Sequence, residues 1–218
     1  MKRILLLLVG CVAGWTAVHA QETARPYDAA IRNFSQQDSL QFPKKGGILF
    51  IGSSSIGRWR DLEERLLEYP VIRRGFGGST FDDILYYADQ IIFPYRPSKI
   101  FLYAGENDLV QGKPVAEIMQ TITTIHGRIK QRLPYTGLYI ISTKPSIKLS
   151  EYRDDITDLN NRIRAYIATQ TCFIHFVDIH TVMLNGGEMP EQGLFVKDNL
   201  HLSDAGYDIW ERVIRAFL

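Results

Sequence analysis

Five short apolar runs, at residues 48–51, 71–72, 99–104, 137–142 and 173–177, have strand length and are bounded by turn residues. Between them the apolar positions switch to helical spacing. Ile56, Trp59, Leu62 and Leu66 recur at intervals of 3, 3 and 4, and Val115, Ile118, Ile122, Ile125 and Ile129 at 3, 4, 3 and 4. Ile156, Leu159, Ile163, Tyr166 and Ile167, then Ile209, Val213 and Phe217, repeat the pattern, and another helix is expected to begin near Phe81. Strands alternating with helices predict parallel strands joined by helical crossovers. The near-continuous apolar character of the strands suits a sheet covered on both faces. The expected fold is an α/β class, three-layer α/β/α sandwich with a central parallel sheet. In such sheets ligands bind beyond the carboxyl ends of the strands, which directs the search for chemistry to the residues just after each run.

Composition narrows the picture. Twenty-five Lys and Arg against 24 Asp and Glu leave a formal charge of +1, so no one-sign field draws nucleic acid, and a nucleic-acid partner is not expected. Two cysteines, Cys11 and Cys172, are too few for a disulfide scaffold or a thiolate metal cluster. Lys2 and Arg3 precede an apolar stretch that runs to Val18 and ends at Val18-His19-Ala20. This reads as a secretory signal over residues 1–20, leaving residues 21–218 as a single domain in the periplasm or outside the cell. Leu8-Val9-Gly10-Cys11 also matches a lipobox, in which Cys11 would be acylated as a membrane anchor, so both processing routes stay open. Either leaves Cys172 alone, as a small buried hydrophobe at the start of a strand.

Four segments carry candidate chemistry. Gly52-Ser53-Ser54-Ser55 follows the first strand, where a sharp turn presents a hydroxyl at a helix start; helix capping explains the serines equally well. Gly75-Phe76-Gly77-Gly78 follows the second strand and allows close backbone approach to an anion, or is a turn. Ala104-Gly105-Glu106-Asn107-Asp108 closes the third strand and offers an amide donor in Asn107, or an ordinary Asn/Asp turn. Asp198-Asn199-Leu200-His201 precedes the last helix, which Ser203 or Asp204 caps; its spacing puts a carboxylate beside an imidazole, fixing the tautomer so that the other nitrogen serves as a base. His126 and His175 read as satisfied structural histidines. His180 follows Asp178 by two residues, but no serine motif or glycine loop joins it, and no metal-binding motif is present.

The order Ser, Gly, Asn, Asp-x-x-His resembles the SGNH hydrolases, also called GDSL lipases and esterases, over essentially all of residues 21–218. That resemblance implies Ser54 as nucleophile, His201 as base and Asp198 as its partner. It further implies an oxyanion hole from the Ser54 and Gly78 backbone N–H groups and the Asn107 side chain. Two positions depart from the family pattern: Ser53 stands where aspartate is usual, and Arg73 where asparagine is usual. The implied activity is ester hydrolysis through an acyl-enzyme, with no metal and no organic cofactor. An O-acyltransferase, a lysophospholipase or lipase, and a non-catalytic carbohydrate-binding protein are the alternatives. The apolar stretch at 183–195 is interrupted by glycines and acids and reads as a solvated rim, which favours short acyl groups, acetyl on a carbohydrate first among them. Arg58, Arg60, Arg73 and Arg74 cluster in sequence near the serine and could meet an acidic sugar, a solvated face being the expected reading.

Overall fold

The computed structural model describes residues 25–171 and 173–218; the expected signal segment, Cys11 and Cys172 lie outside the described residues. Helix α1 (Asp28–Leu40) leads into strand β1 (Ile48–Gly52), followed by two single-turn helices, α2 (Ser54–Gly57) and α3 (Leu62–Arg65). Strand β2 (Val71–Gly75), helix α4 (Phe81–Ile91), strand β3 (Lys99–Tyr103) and helices α5 (Glu106–Val110) and α6 (Val115–Arg132) come next. The chain ends with β4 (Gly137–Ile141), α7 (Arg153–Ala168), β5 (Ile174–Val177), α8 (Ile179–Leu184) and α9 (Asp204–Arg215).

The five strands are all parallel, in the order β2-β1-β3-β4-β5. Successive side chains on a strand face opposite ways, and in β1 both directions lead into core. Leu49 and Ile51 join Ile84, Ile118, Ile122 and Ile156 on the α4, α6 and α7 side. Ile48 and Phe50 join Ile56, Trp59, Tyr207 and Trp210 on the α2, α3 and α9 side. All five β1 residues are buried, as a central strand between two helical layers requires. The second face is an aromatic stack: Phe50 lies 4.8 Å from Phe101, and Trp59 lies 5.0 Å from Tyr207.

One expectation about the elements is corrected, and one helix lies where no element was expected. The 56–66 run is not one helix: α2 ends at Gly57 and α3 starts at Leu62, because Trp59 is drawn into the aromatic core between them. Helix α1 has weak apolar patterning and buries only Ile31; polar ties hold it, Asp28 accepting from the Tyr87 hydroxyl at 2.7 Å and Asp38 from that of Tyr95 at 2.5 Å.

The chain runs from β1 out to β2 and then returns to the other side of β1 for β3, so the strand order reverses around β1. Crevices form at the carboxyl ends of the strands at such a reversal. The segments that follow β1, β2 and β3 therefore converge there.

Candidate active site

At Gly52 the chain leaves β1 so close to β3 that a Cβ there would stand 2.0 Å from the Tyr103 carbonyl oxygen, which only glycine tolerates. The turn makes Ser53 the N-cap of α2, but its side chain makes no capping bond, and its buried Oγ has no hydrogen-bond partner among the described residues. Ser54 follows at the first helical position. Its hydroxyl lies 3.1 Å from His201 Nε2, not on the helix backbone, so capping is not the role of this serine.

His201 is aimed by its own turn. Asp198 Oδ1 accepts the backbone N–H groups of Leu200 at 3.0 Å and His201 at 2.9 Å, while Asn199 adopts a left-handed φ of 57°. Oδ2 is left to meet His201 Nδ1 at 2.6 Å. With Nδ1–H donating to the carboxylate, the Nε2 lone pair faces Ser54. Partial desolvation raises the Asp198 pKa, but the His201 side chain and the two backbone donors outweigh it and hold the carboxyl well below its usual range. Asp198 thus stays ionised. Ser203, one of the two expected caps, accepts from Gly206 N–H and directly precedes α9, which starts at Asp204.

The glycine loop closes the other side. Gly78 has φ of 84°, and a Cβ added at Gly77 would lie 3.8 Å from Ser54 Cβ, so the loop runs directly against the serine. Tyr27 donates its hydroxyl to the Gly78 carbonyl at 2.7 Å and packs edge-on to Phe76, bracing the loop from the N-terminal segment. Asn107 Nδ2 donates to the Ser79 carbonyl at 3.0 Å, tying the β3 segment to the same loop. Among the described residues neither the Ser54 nor the Gly78 backbone N–H meets an acceptor. Ser54, Gly78, Asn107 and His201 all line one open cleft of about 520 Å³.

Next to Asn107 sit buried ionisable groups to which the sequence reading assigned no role. Lys144 pairs with Glu106, which also accepts the Tyr103 hydroxyl at 2.8 Å; the Lys and Glu side chains are 1% and 6% exposed. Glu106 immediately precedes Asn107, so the pair fixes the start of α5. Asp108 is fully buried and accepts the Phe81 N–H at the start of α4. Burial pushes its pKa up to about 6 against the lowering effects of that N–H and of Lys113.

A serine hydroxyl within reach of an oriented imidazole, with N–H groups free beside them, is the arrangement an acyl-transfer site needs. The sequence pattern of the GDSL-like Lipase/Acylhydrolase family matches residues 50–209, spanning all of these parts. The chain belongs to that family. It is accordingly a carboxylic ester hydrolase of the GDSL-like type. Solved GDSL-like structures share the fold. A GDSL-like lipase from Bacteroides thetaiotaomicron superposes with a TM-score of 0.75 at 20% identity, covering 86% of this chain and 96% of its own. A protein from Streptococcus pneumonia provisionally described as a platelet activating factor gives 0.78 at 21%, covering 87% and 91%. A variant of an acetyl-xylooligosaccharide esterase from Geobacillus gives 0.64 at 17%, covering 80% and 94%. No curated protein matches.

The other histidines of this GDSL-like chain stay apart. His126 meets the Tyr166 hydroxyl at 2.7 Å in a structural contact. His175, expected to be a satisfied structural histidine, is exposed and makes its contact by stacking on Tyr139 at 4.6 Å, with no hydrogen bond among the described residues. Asp178 is engaged by Arg164 and Thr181, and His180 lines a separate pocket, where burial lowers its pKa. The arginine cluster also divides. Arg73 pairs with Glu63, and Arg74 is buried against Asp38 and Tyr95, so only Arg58 and Arg60 match the expected solvated face.

Proposed function

We propose that this GDSL-like hydrolase cleaves short-chain esters, acetyl foremost, carried by a carbohydrate, with Ser54 as nucleophile. The observation that carries the reading is the continuous relay from Ser54 Oγ through His201 to Asp198, at 3.1 and 2.6 Å. His201 Nε2 takes the Ser54 proton as Oγ bonds to the acyl carbon, and Asp198 stabilises the imidazolium that forms. The carbonyl oxygen becomes an oxyanion facing the Ser54 and Gly78 N–H groups and the Asn107 amide. Collapse of the adduct breaks the ester C–O bond, His201 protonates the departing alcohol, and an acyl-Ser54 remains. Water, deprotonated by His201, then attacks the acyl carbon; the acid leaves and Ser54 recovers its proton.

The cleft's lining supports a small acyl group. Among the described residues Leu200 is the only apolar side chain that lines it, alongside glycines, Ser54, Arg58, Asn107 and His201. Each buried methylene is worth about 0.8 kcal/mol, and one leucine beside glycine backbone gives a long acyl chain few side chains to collect that gain from. Within the 183–195 stretch, Met183, Leu194 and Phe195 turn into the core, while residues 185–189 and 191–193 are exposed. Two structurally similar proteins are themselves acetyl xylan esterases, which supports an acetylated sugar as the substrate class. The basic and apolar pattern ending at Ala20 supports action outside the cytoplasm.

An aryl ester series from acetate to decanoate, assayed with and without a polyol acceptor, tests the proposal. The specificity constant should be highest at acetate or butyrate, and free acid should be the product. A steady climb beyond butyrate would make the protein a lipase, and transfer to the polyol in preference to water would make it an acyltransferase.

A further inference from the structure

The cleft has a charged extension that the ester-cleaving chemistry leaves unexplained. A second hollow, of about 380 Å³, adjoins it and shares Arg58 and His201 with it; Arg60 lines this hollow as well. Its volume falls in the range of about 300–1,000 Å³ typical of small-molecule sites.

The two arginines are placed by the fold. Arg58 ends α2, its backbone N–H donating to the Ser54 carbonyl at 2.8 Å, so its Cα lies one helical turn from the nucleophile. Trp59, between the two, is fully buried and held by Phe50, Tyr207 and Trp210. The backbone is thus pinned from inside while Arg58 and Arg60 flank the pin at the exposed surface. Unlike Arg73 and Arg74, neither guanidinium has an ion-pair or hydrogen-bond partner among the described residues. Of the acids in the hollow, Asp61 meets Arg65 at 2.6 Å, a guanidinium that Asp208 and Glu211 also share, and Asp204 stands without an ion pair. Neither Arg58 nor Arg60 is committed to any of these acids, so both guanidinium groups are open to a carboxylate from outside.

Direction decides which part of the substrate meets them. The oxyanion donors, Gly78 and Asn107, line the first cleft only, whereas His201 lines both hollows. In the proposed cycle His201 protonates the departing alcohol, so the alcohol portion exits on the His201 side, toward Arg58 and Arg60. We infer that Arg58 and Arg60 form a subsite for a carboxylate on the alcohol portion, making the favoured substrate an acylated acidic sugar such as a uronate. The guanidinium fork matches a carboxylate bidentately, which an ammonium would not.

This inference rests on the short-acyl esterase reading, and its test separates the two. The full-length protein is assayed on the methyl glycoside of O-acetylglucuronic acid and on its C6 methyl ester, which has the same ring and acetyl group without the charge. At low ionic strength the carboxylate should be favoured at least tenfold in kcat/KM, and the preference should shrink as salt is raised. In R58Q/R60Q the ratio of the two specificity constants should approach one. Equal constants in the unmodified protein, or a preference that survives R58Q/R60Q, would overturn the subsite while leaving the esterase reading intact. Cleavage of neither compound, with aryl acetate also uncleaved, would remove both.

Discussion

Truncating Asn107 to alanine separates transition-state stabilisation from substrate binding. Its Nδ2 already donates to the Ser79 carbonyl at 3.0 Å, which leaves one N–H for the cleft that Asn107 lines with Ser54. If that N–H meets the oxyanion, its removal should raise the barrier by about 2.7–4 kcal/mol, the loss typical of one oxyanion donor. At about 1.36 kcal/mol per decade this is roughly a hundred- to thousandfold fall in kcat. The lost bond to Ser79 adds a separate and smaller folding penalty of about 0.5–1.5 kcal/mol. Steady-state kinetics on an aryl acetate give kcat and KM, and a thermal melt reads the folding term independently. The reasoning fails if KM rises while kcat holds, since Asn107 would then bind ground state and transition state alike. It also fails if kcat drops less than tenfold in a folded variant.

Two further predictions concern the buried charges beside the site. Lys144→Met strands Glu106 as an uncompensated buried charge and should destabilise the fold by about 3–5 kcal/mol in urea, with most of the loss recovered by adding Glu106→Gln; a loss under about 1 kcal/mol would show that the pair is not desolvated as described. Asp108 holds its proton more tightly folded than unfolded, its pKa being raised from 3.8 to about 6, so its contribution is fully present below the lower value and is lost as pH rises through the higher. Asp108→Asn should therefore gain on the unmodified protein by about 2 kcal/mol between pH 4 and pH 7. A stability difference that stays constant across that interval would refute the assignment.

The sheet was legible because the strands are covered on both faces: β1 reads as an unbroken apolar run, since Leu49 and Phe50 bury into opposite layers. The relay was legible because its members sit in short motifs at strand ends, where Asp198 and His201 are only three residues apart. Helix α1 was not, because Asp28 and Asp38 anchor it through residues 59 and 57 positions away, and such polar ties leave no periodicity. Tyr27 was hidden for the same reason, its partner being the Gly78 carbonyl 51 residues on. Lys144 and Glu106 are 38 residues apart, and nothing in their local sequence marks them as a pair; the adjacent strands β3 and β4 bring them together. The 56–66 run misled because Trp59 fits a helical repeat while its ring is taken by the aromatic core. Arginines that look alike in sequence differ only in whether Glu63 or Asp38 reaches them.

The central claim is that Ser54 is activated by His201, and a fluorophosphonate probe tests it most directly, because base-activated serines react with such electrophiles and ordinary N-cap serines do not. Peptide mass mapping of the labelled protein should place the adduct on Ser54, with labelling abolished in His201→Ala. An adduct on Ser53 or Ser55, undiminished labelling without His201, or no adduct on a folded protein would contradict the account.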